Sequence, residues 1–286
     1  MNNGLSYAFF GTSEFAVSFL EELAKIGGTL PSLIITNPDR PAGRGLRLTP
    51  PPVKVWANTH GIEVWQPEKL DASFTEKITP RQFDLFMVVA YGGLLPKKVF
   101  TLPKYKTMNL HPSLLPRYRG PSPIETQIQS DDRDTGITLM EIDEKTDHGP
   151  IIAAEKVPMP HWPIDRLTCS NILAQRGAIL FTATLPRWKS GKVSSTTQDE
   201  SRATHTRKIT KEDALLDLSD DPYLNWLKIL AFRGMLDCYF IHRHNDTKVQ
   251  VKIRDASYEN GALTITRVLP ENKKEMSYEE FLRGAR

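Results

Sequence analysis

Leu5-Ser6-Tyr7-Ala8-Phe9-Phe10-Gly11-Thr12-Ser13-Glu14-Phe15-Ala16-Val17-Ser18-Phe19-Leu20-Glu21-Glu22-Leu23 decides the fold class. Residues 5–10 form an apolar run closed by Gly11. Phe15, Phe19, Leu20 and Leu23 then recur at helical spacing, which predicts a buried strand followed by a helix. Short apolar runs at 33–35, 62–65 and 85–90 read as further strands, with crossover-length segments between them. The expected fold is α/β, with a Rossmann-like, mostly parallel sheet in an N-terminal domain.

Further along, 136–143 and 151–154 read as a hairpin-like pair around Asp147-His148-Gly149, and 164–188 as a long helix in which Gly177 is the weak point. Residues 190–207 are rich in Ser, Thr and charge and nearly empty of large apolar residues, the composition of an exposed linker. Beyond it, a helical segment at 214–232 precedes short strands at 237–241, 248–253 and 262–268, which suggests a small β-barrel. The expected division is 1–189, a linker at 190–207, and 208–286.

The 286 residues are 40% apolar and 25% charged, enough for a substantial core and for two domains. A net charge of +3 does not demand a nucleic-acid partner, though it permits one where basic groups cluster. Cys169 and Cys238 lie far apart, so a disulfide framework and a Cys-rich zinc site are both excluded. The first twenty residues hold no Lys or Arg and carry Glu14, against a signal peptide, and no run reaches membrane-spanning length. A cytoplasmic protein is expected.

Asn109-Leu110-His111-Pro112 carries the clearest chemistry. In an extended chain Asn109 and His111 project to one side, and Pro112 stops regular structure at the strand's mouth. An amide and an imidazole so placed can hold a carbonyl oxygen between two donors. Asp147 could meet His111 across neighbouring strand ends, where ligands of open α/β sheets bind.

On these residues the chain resembles the folate-dependent formyltransferases, and among them those acting on methionyl-tRNA. The resemblance runs through Phe9-Phe10-Gly11-Thr12, Asn37-Pro38-Asp39-Arg40-Pro41-Ala42-Gly43-Arg44-Gly45, Pro52-Val53-Lys54, Asn109 to Gly120, and Asp147-His148-Gly149. It resumes in Lys208-Ile209-Thr210-Lys211-Glu212-Asp213-Ala214 and in Lys273-Lys274-Glu275-Met276-Ser277. It implies transfer of a formyl group from 10-formyltetrahydrofolate to the α-amine of methionine on initiator tRNA, by a monomer and without a metal.

In that reading Asn109 and His111 stabilise the oxyanion, while Asp147 orients His111 and takes or relays the amine proton. The folate pocket is carried over to Met87, Val88, Val89, Ala90, Tyr91 and Gly92, and to Ser113, Leu114, Leu115 and Pro116. The basic loop assigns Arg40, Arg44 and Arg47 to the tRNA acceptor stem. Lys248, Lys252, Arg254 and Arg267 are candidates for tRNA contact on an OB-fold-like barrel. From His205 on there are 14 Lys or Arg against 13 Asp or Glu, so a tRNA surface there has to come from asymmetry.

Pro121-Ser122 stands where the family has a small Ala pair, and His148 where it has Thr. The Asn-Pro-x-Pro element is absent around Ala231-Phe232-Arg233-Gly234. Two other readings compete. A formyltransferase for a small amine such as an amino sugar would keep the three polar residues but has no use for the arginine loop. A folate- or RNA-binding protein without catalysis would be marked by loss of one of the three.

Overall fold

The computed structural model describes residues 5–42, 46–244 and 247–284. The chain forms two compact units. One gathers the residues up to Pro121 with Asp134–Pro158 and Ser170–Thr206; the other gathers Ser122–Arg133, Met159–Cys169 and the residues from Arg207 on. The break before Arg207 lies beside the expected start at 208, whereas 190–206 groups with the first unit and 122–133 and 159–169 with the second.

The first unit is built on a seven-stranded sheet of order β5-β2-β1-β6-β7-β8-β9. Its strands are β1 (Tyr7–Gly11), β2 (Leu33–Ile35), β5 (Glu63–Trp65), β6 (Leu85–Val89), β7 (Thr107–His111), β8 (Gly136–Glu141) and β9 (Ile151–Lys156). The first five positions in that order pair in parallel, while β8 and β9 run antiparallel. A separate hairpin pairs β3 (Arg40–Ala42) with β4 (Arg47–Thr49). The helices of this unit are α1 (Glu14–Lys25), α2 (Pro52–Thr59), α3 (Ala72–Ile78), α4 (Lys97–Phe100) and, from Ser170 on, α6 (Arg166–Lys189); α5 (Pro123–Gln129) belongs to the second unit.

β1 is buried at every position because both faces of the sheet are covered. Alternation sends Ala8 and Phe10 to the face that holds Phe74, Ile78, Val99 and Phe100. Tyr7 and Phe9 go to the other face, where Phe9 stacks on Phe19 of α1 and Tyr7 meets Phe181 of α6. Burial of each such ring contributes about 1.5–3 kcal/mol. Gly177 does not interrupt α6, because a Cβ there would collide with Leu110 of β7. The glycine costs helix propensity and allows helix and strand to approach closely.

Residues 190–207 are largely exposed, as their composition predicts, with Gln198 buried, and the segment is tied to the first unit by hydrogen bonds. Thr196 and Ile151 exchange two backbone hydrogen bonds of 2.8 Å, which extends the edge of β9. Arg119 N–H donates to Thr204 O at 2.9 Å and Thr206 N–H to Arg119 O at 2.7 Å. Its side chains are largely solvated, while backbone groups at Thr196, Thr204 and Thr206 bond the sheet edge and the 116–120 loop.

The second unit carries α7 (Pro222–Phe232), α8 (Tyr278–Gly284) and an antiparallel meander of β10 (Tyr239–His244), β11 (Thr247–Glu259), β12 (Ala262–Pro270) and β13 (Met276–Ser277). A register shift around Asp255 marks a bulge that bends β11. Phe240, Val251, Ile253, Val268 and Phe281 are buried in this unit. α7 begins at Pro222, later than expected, since Asp221 caps it through Tyr223 N–H and Pro suits the first turn. Ahead of it, Leu216 N–H bonds Tyr239 O instead. Asp131, from the inserted 122–133 segment, accepts from Trp162 Nε1 at 2.6 Å and from Tyr223 Oη at 3.0 Å.

Candidate active site

β7 delivers Asn109 and His111 to the sheet face opposite α6, since the alternate residue Leu110 is the one that meets Gly177. Asp147 reaches the same place by another route than expected. β8 is antiparallel, so it ends with Glu141 opposite Met108, at the far end of β7 from His111. The 142–150 loop therefore folds back over the sheet face, and Asp147 does not come from a neighbouring strand end. Asp147 has a φ of +50°, a left-handed conformation that short polar side chains tolerate. Gly149 is required two residues on, where a Cβ would strike the Glu141 carbonyl.

The three side chains meet. Asn109 Nδ2 lies 3.4 Å from Asp147 Oδ1, and His111 Nδ1 lies 3.5 Å from Asp147 Oδ2. Gly120 N–H donates to Asp147 Oδ2 at 2.8 Å. His111 is buried, and its Nε2 lies 2.9 Å from the Tyr118 carbonyl oxygen. A carbonyl only accepts, so Nε2 carries a proton and a neutral ring presents an unprotonated Nδ1 to the carboxylate. The His111–Asp147 contact thus has room for one further proton.

Sequence reasoning missed the residues behind Asp147. Gln198, 5% exposed, donates from Nε2 to the carbonyls of Asp147 (2.9 Å) and Gly149 (2.8 Å), and its Oε1 accepts from Arg119 Nε at 3.0 Å. Arg119, 2% exposed, forks onto Glu200 at 2.6 and 3.1 Å and holds that carboxyl below the usual range. His148 stands between two carboxylates, with Nδ1 2.5 Å from Asp143 Oδ2 and Nε2 3.5 Å from Glu200 Oε1. Arg119 lay inside the Asn109 to Gly120 stretch. Gln198 and Glu200 carried no signal, because their partners lie far off in sequence.

A cavity of about 330 Å³ is lined by Lys97, Phe100, Ile142, Asp143, Glu144, Lys145 and His148. Asn109, His111, Asp147 and the folate candidates do not line it, and its walls Phe100 and Ile142 bond to Thr107, at the end of β7 away from His111. Phe100 and Ile142 give it apolar walls, and charged side chains and loop backbone surround them. Of the folate candidates, Met87, Val88 and Val89 are buried within β6, Tyr91 is also buried, and Ala90 and Gly92 are exposed at the strand's end. Ser113 is fully buried and donates to Arg117 O, closing a turn; Leu115 and Pro116 are buried and Leu114 half-buried. Among the described residues, no cluster of three His, Cys, Asp or Glu side chains is arranged to hold a metal ion.

The arginine loop has a firm root. Asp39 takes Lys54 Nζ at 2.8 Å on both oxygens and Gln66 Nε2 at 2.7 Å, and these bonds, Gln66 foremost, lower its pKa. Arg40 pairs with Glu68 at 3.1 Å and Arg47 is exposed on β4; Arg44 lies outside the described residues. In the second unit Lys248 is exposed, while Lys252 and Arg254 face Asp237 at 3.5 and 2.7 Å, and Arg267 faces Glu275 at 2.7 Å. These strand cations are partly neutralised in place. Among the described residues, no helix is long and apolar enough to cross a membrane.

Comparison with known proteins bears on the family and the fold. The methionyl-tRNA formyltransferase of Dictyoglomus turgidum is 34% identical over 309 residues, covering 97% of this chain and 96% of that one. The structure of methionyl-tRNA formyltransferase from Clostridium thermocellum superimposes with a TM-score of 0.63 at 14% identity, covering 93% of this chain and 98% of that chain. HypX from Aquifex aeolicus in complex with tetrahydrofolic acid gives a TM-score of 0.60 at 17% identity, over 97% of this chain and 46% of that chain. At those identities the two structures speak for the fold alone. The profile of the formyl transferase family matches residues 6–181, which span β1 to α6 and include Asn109, His111 and Asp147. With more than half its length matched, the chain belongs to the formyl transferase family.

Proposed function

We propose that the protein transfers the formyl group of 10-formyltetrahydrofolate to the α-amine of methionyl initiator tRNA, acting as a cytoplasmic monomer. The observation that carries this reading is the convergence of Asn109, His111 and Asp147, in a chain similar along nearly its whole length to an enzyme of that name. The donor supplies a formyl carbon bound to nitrogen. The methionyl amine attacks it, the new C–N bond forms, and the bond to the folate nitrogen breaks. Asn109 Nδ2 donates toward the formyl oxygen as negative charge builds there. With Nε2 committed to Tyr118, His111 contributes through Nδ1. The His111–Asp147 pair takes the proton the amine loses and returns it to the departing nitrogen. In this reading Arg40, Arg44 and Arg47 hold the acceptor end, and the strand cations Lys248, Lys252, Arg254 and Arg267 contact the tRNA further away.

The test mixes purified protein and formyl donor with charged initiator tRNA, free methionine or an amino sugar. Transfer to the charged tRNA at a rate far above both small amines is expected. Preferential formylation of a small amine would sink the tRNA reading and leave formyl transfer standing.

A further inference from the structure

We infer that Gln198 is a positioning residue for the reaction, acting through the backbone that carries Asp147. The inference rests on the role proposed for Asp147. Gln198 lies outside the span matched by the family profile, in the stretch whose composition read as a linker. Its side chain is nevertheless buried, and each of its polar atoms serves the site. Nε2 donates to the carbonyls of Asp147 and Gly149, the two ends of the turn, and Oε1 accepts from Arg119 Nε.

Arg119 belongs to the loop whose Gly120 N–H fixes Asp147 Oδ2. One amide side chain therefore ties together the loop that holds the carboxylate and the turn that presents it. Other bonds, from Gly120 N–H to Asp147 Oδ2, from Lys145 N–H to Asp143 and between His148 and Asp143, hold side chains of the turn, while Gln198 holds its carbonyls. The turn folds back from the far end of β7, and Asp147 occupies a left-handed conformation. Without the two donors from Gln198, two carbonyls of the turn lose their buried partners and the turn can relax toward less strained backbone. The carboxylate would then move relative to His111 Nδ1. Misplacement by about an ångström is enough to cost about a hundredfold in rate.

Gln198→Leu removes all three hydrogen bonds at similar volume, and Gln198→Glu keeps an acceptor for Arg119 while removing both donors. Each is expected to lower kcat for transfer to charged tRNA by at least about tenfold, with KM for the formyl donor within about twofold of wild type. The deciding comparison repeats Gln198→Leu in an Asp147→Asn background. If Gln198 acts through Asp147, the second substitution there should change kcat by less than about twofold. The same fold-loss in both backgrounds would mean a general structural role and would overturn the inference, as would wild-type kcat in both single variants.

Amide hydrogen exchange over 143–150 gives a readout independent of the substrate. It should speed up in both variants while the 85–89 strand keeps its protection. Should wild type fail to act on charged tRNA, the functional reading falls, and unchanged exchange over 143–150 is then what would refute the part assigned to Gln198. Gln198→Glu also serves if Gln198→Leu does not fold.

Discussion

His111 Nε2 donates to the carbonyl oxygen of Tyr118, a residue held at a φ of +61° by the strand-like pairing of its loop with residues 204–206. That bond sets the ring tautomer. It fixes which nitrogen faces Asp147, and so the fold of a distant segment helps decide the direction in which a proton can move. His111→Ala should lower turnover about 100-fold or more. Losing a buried, hydrogen-bonded ring should also destabilise the fold by about 1–3 kcal/mol. Rates at saturating donor and tRNA, read beside a urea melt, check both parts. Near-wild-type turnover would remove His111 from the chemistry.

Asp147→Asn keeps the shape and an acceptor for Gly120 N–H but loses the charge and the proton acceptor. Single-turnover transfer should slow by about 100-fold while donor binding, measured by titration, stays within about threefold. Weak donor binding with a normal chemical step would instead make Asp147 a wall of the pocket.

Gly177→Ala places a methyl group against Leu110, next to both Asn109 and His111 in β7. Although alanine is the better helix former, the overpacking should dominate and cost about 1–3 kcal/mol. Thermal unfolding would show a fall of a few degrees; a rise would mean that α6 shifts at no cost.

Burial pushes the Cys169 thiol up to about 12, with Glu125 and Asp165 adding to the effect, and burial carries Cys238 to about 12 as well, opposed by Lys228 and aided by Asp237. At pH 8 only about one thiol in ten thousand is ionised at each position. Folded protein should therefore leave an aromatic disulfide reagent unreacted over minutes, and two thiols per chain should appear in denaturant. Rapid labelling of the folded state would show that one of these sites opens readily.

Arg44→Ala should reduce transfer to charged tRNA by at least about tenfold and leave donor titration unchanged. Conversely, Glu275→Gln releases Arg267 and relieves Arg254, so tRNA binding at low salt should tighten about two- to fivefold, with a steeper salt dependence. Filter binding across a salt series checks both variants. No change in the second would remove these strand cations from the RNA surface.

The strands were legible because burial on both faces leaves uninterrupted apolar runs, as in Tyr7–Gly11 and Leu85–Val89. Asn109 and His111 were legible because a two-residue spacing on a strand settles which side they share. The path of Asp147 was not, since nothing local in Gly136–Glu141 says that it runs antiparallel to β7. Gln198 and Glu200 stayed hidden for a related reason. A polar side chain among serines and threonines looks the same whether water or a buried arginine satisfies it.

The second unit is assembled from three separated stretches of chain, and Asp131 in one of them holds Trp162 in another and Tyr223 in the third. A single crossover near Arg207 between two relatives would give the hybrid an α7 without the α5 and Asp131 that contact it here. Whole-module exchange would have to replace 122–133 and 159–169 as well. Those stretches flank the hairpin that bears Asp147, so inheritance of the C-terminal module is physically linked to inheritance of the Asp147 loop.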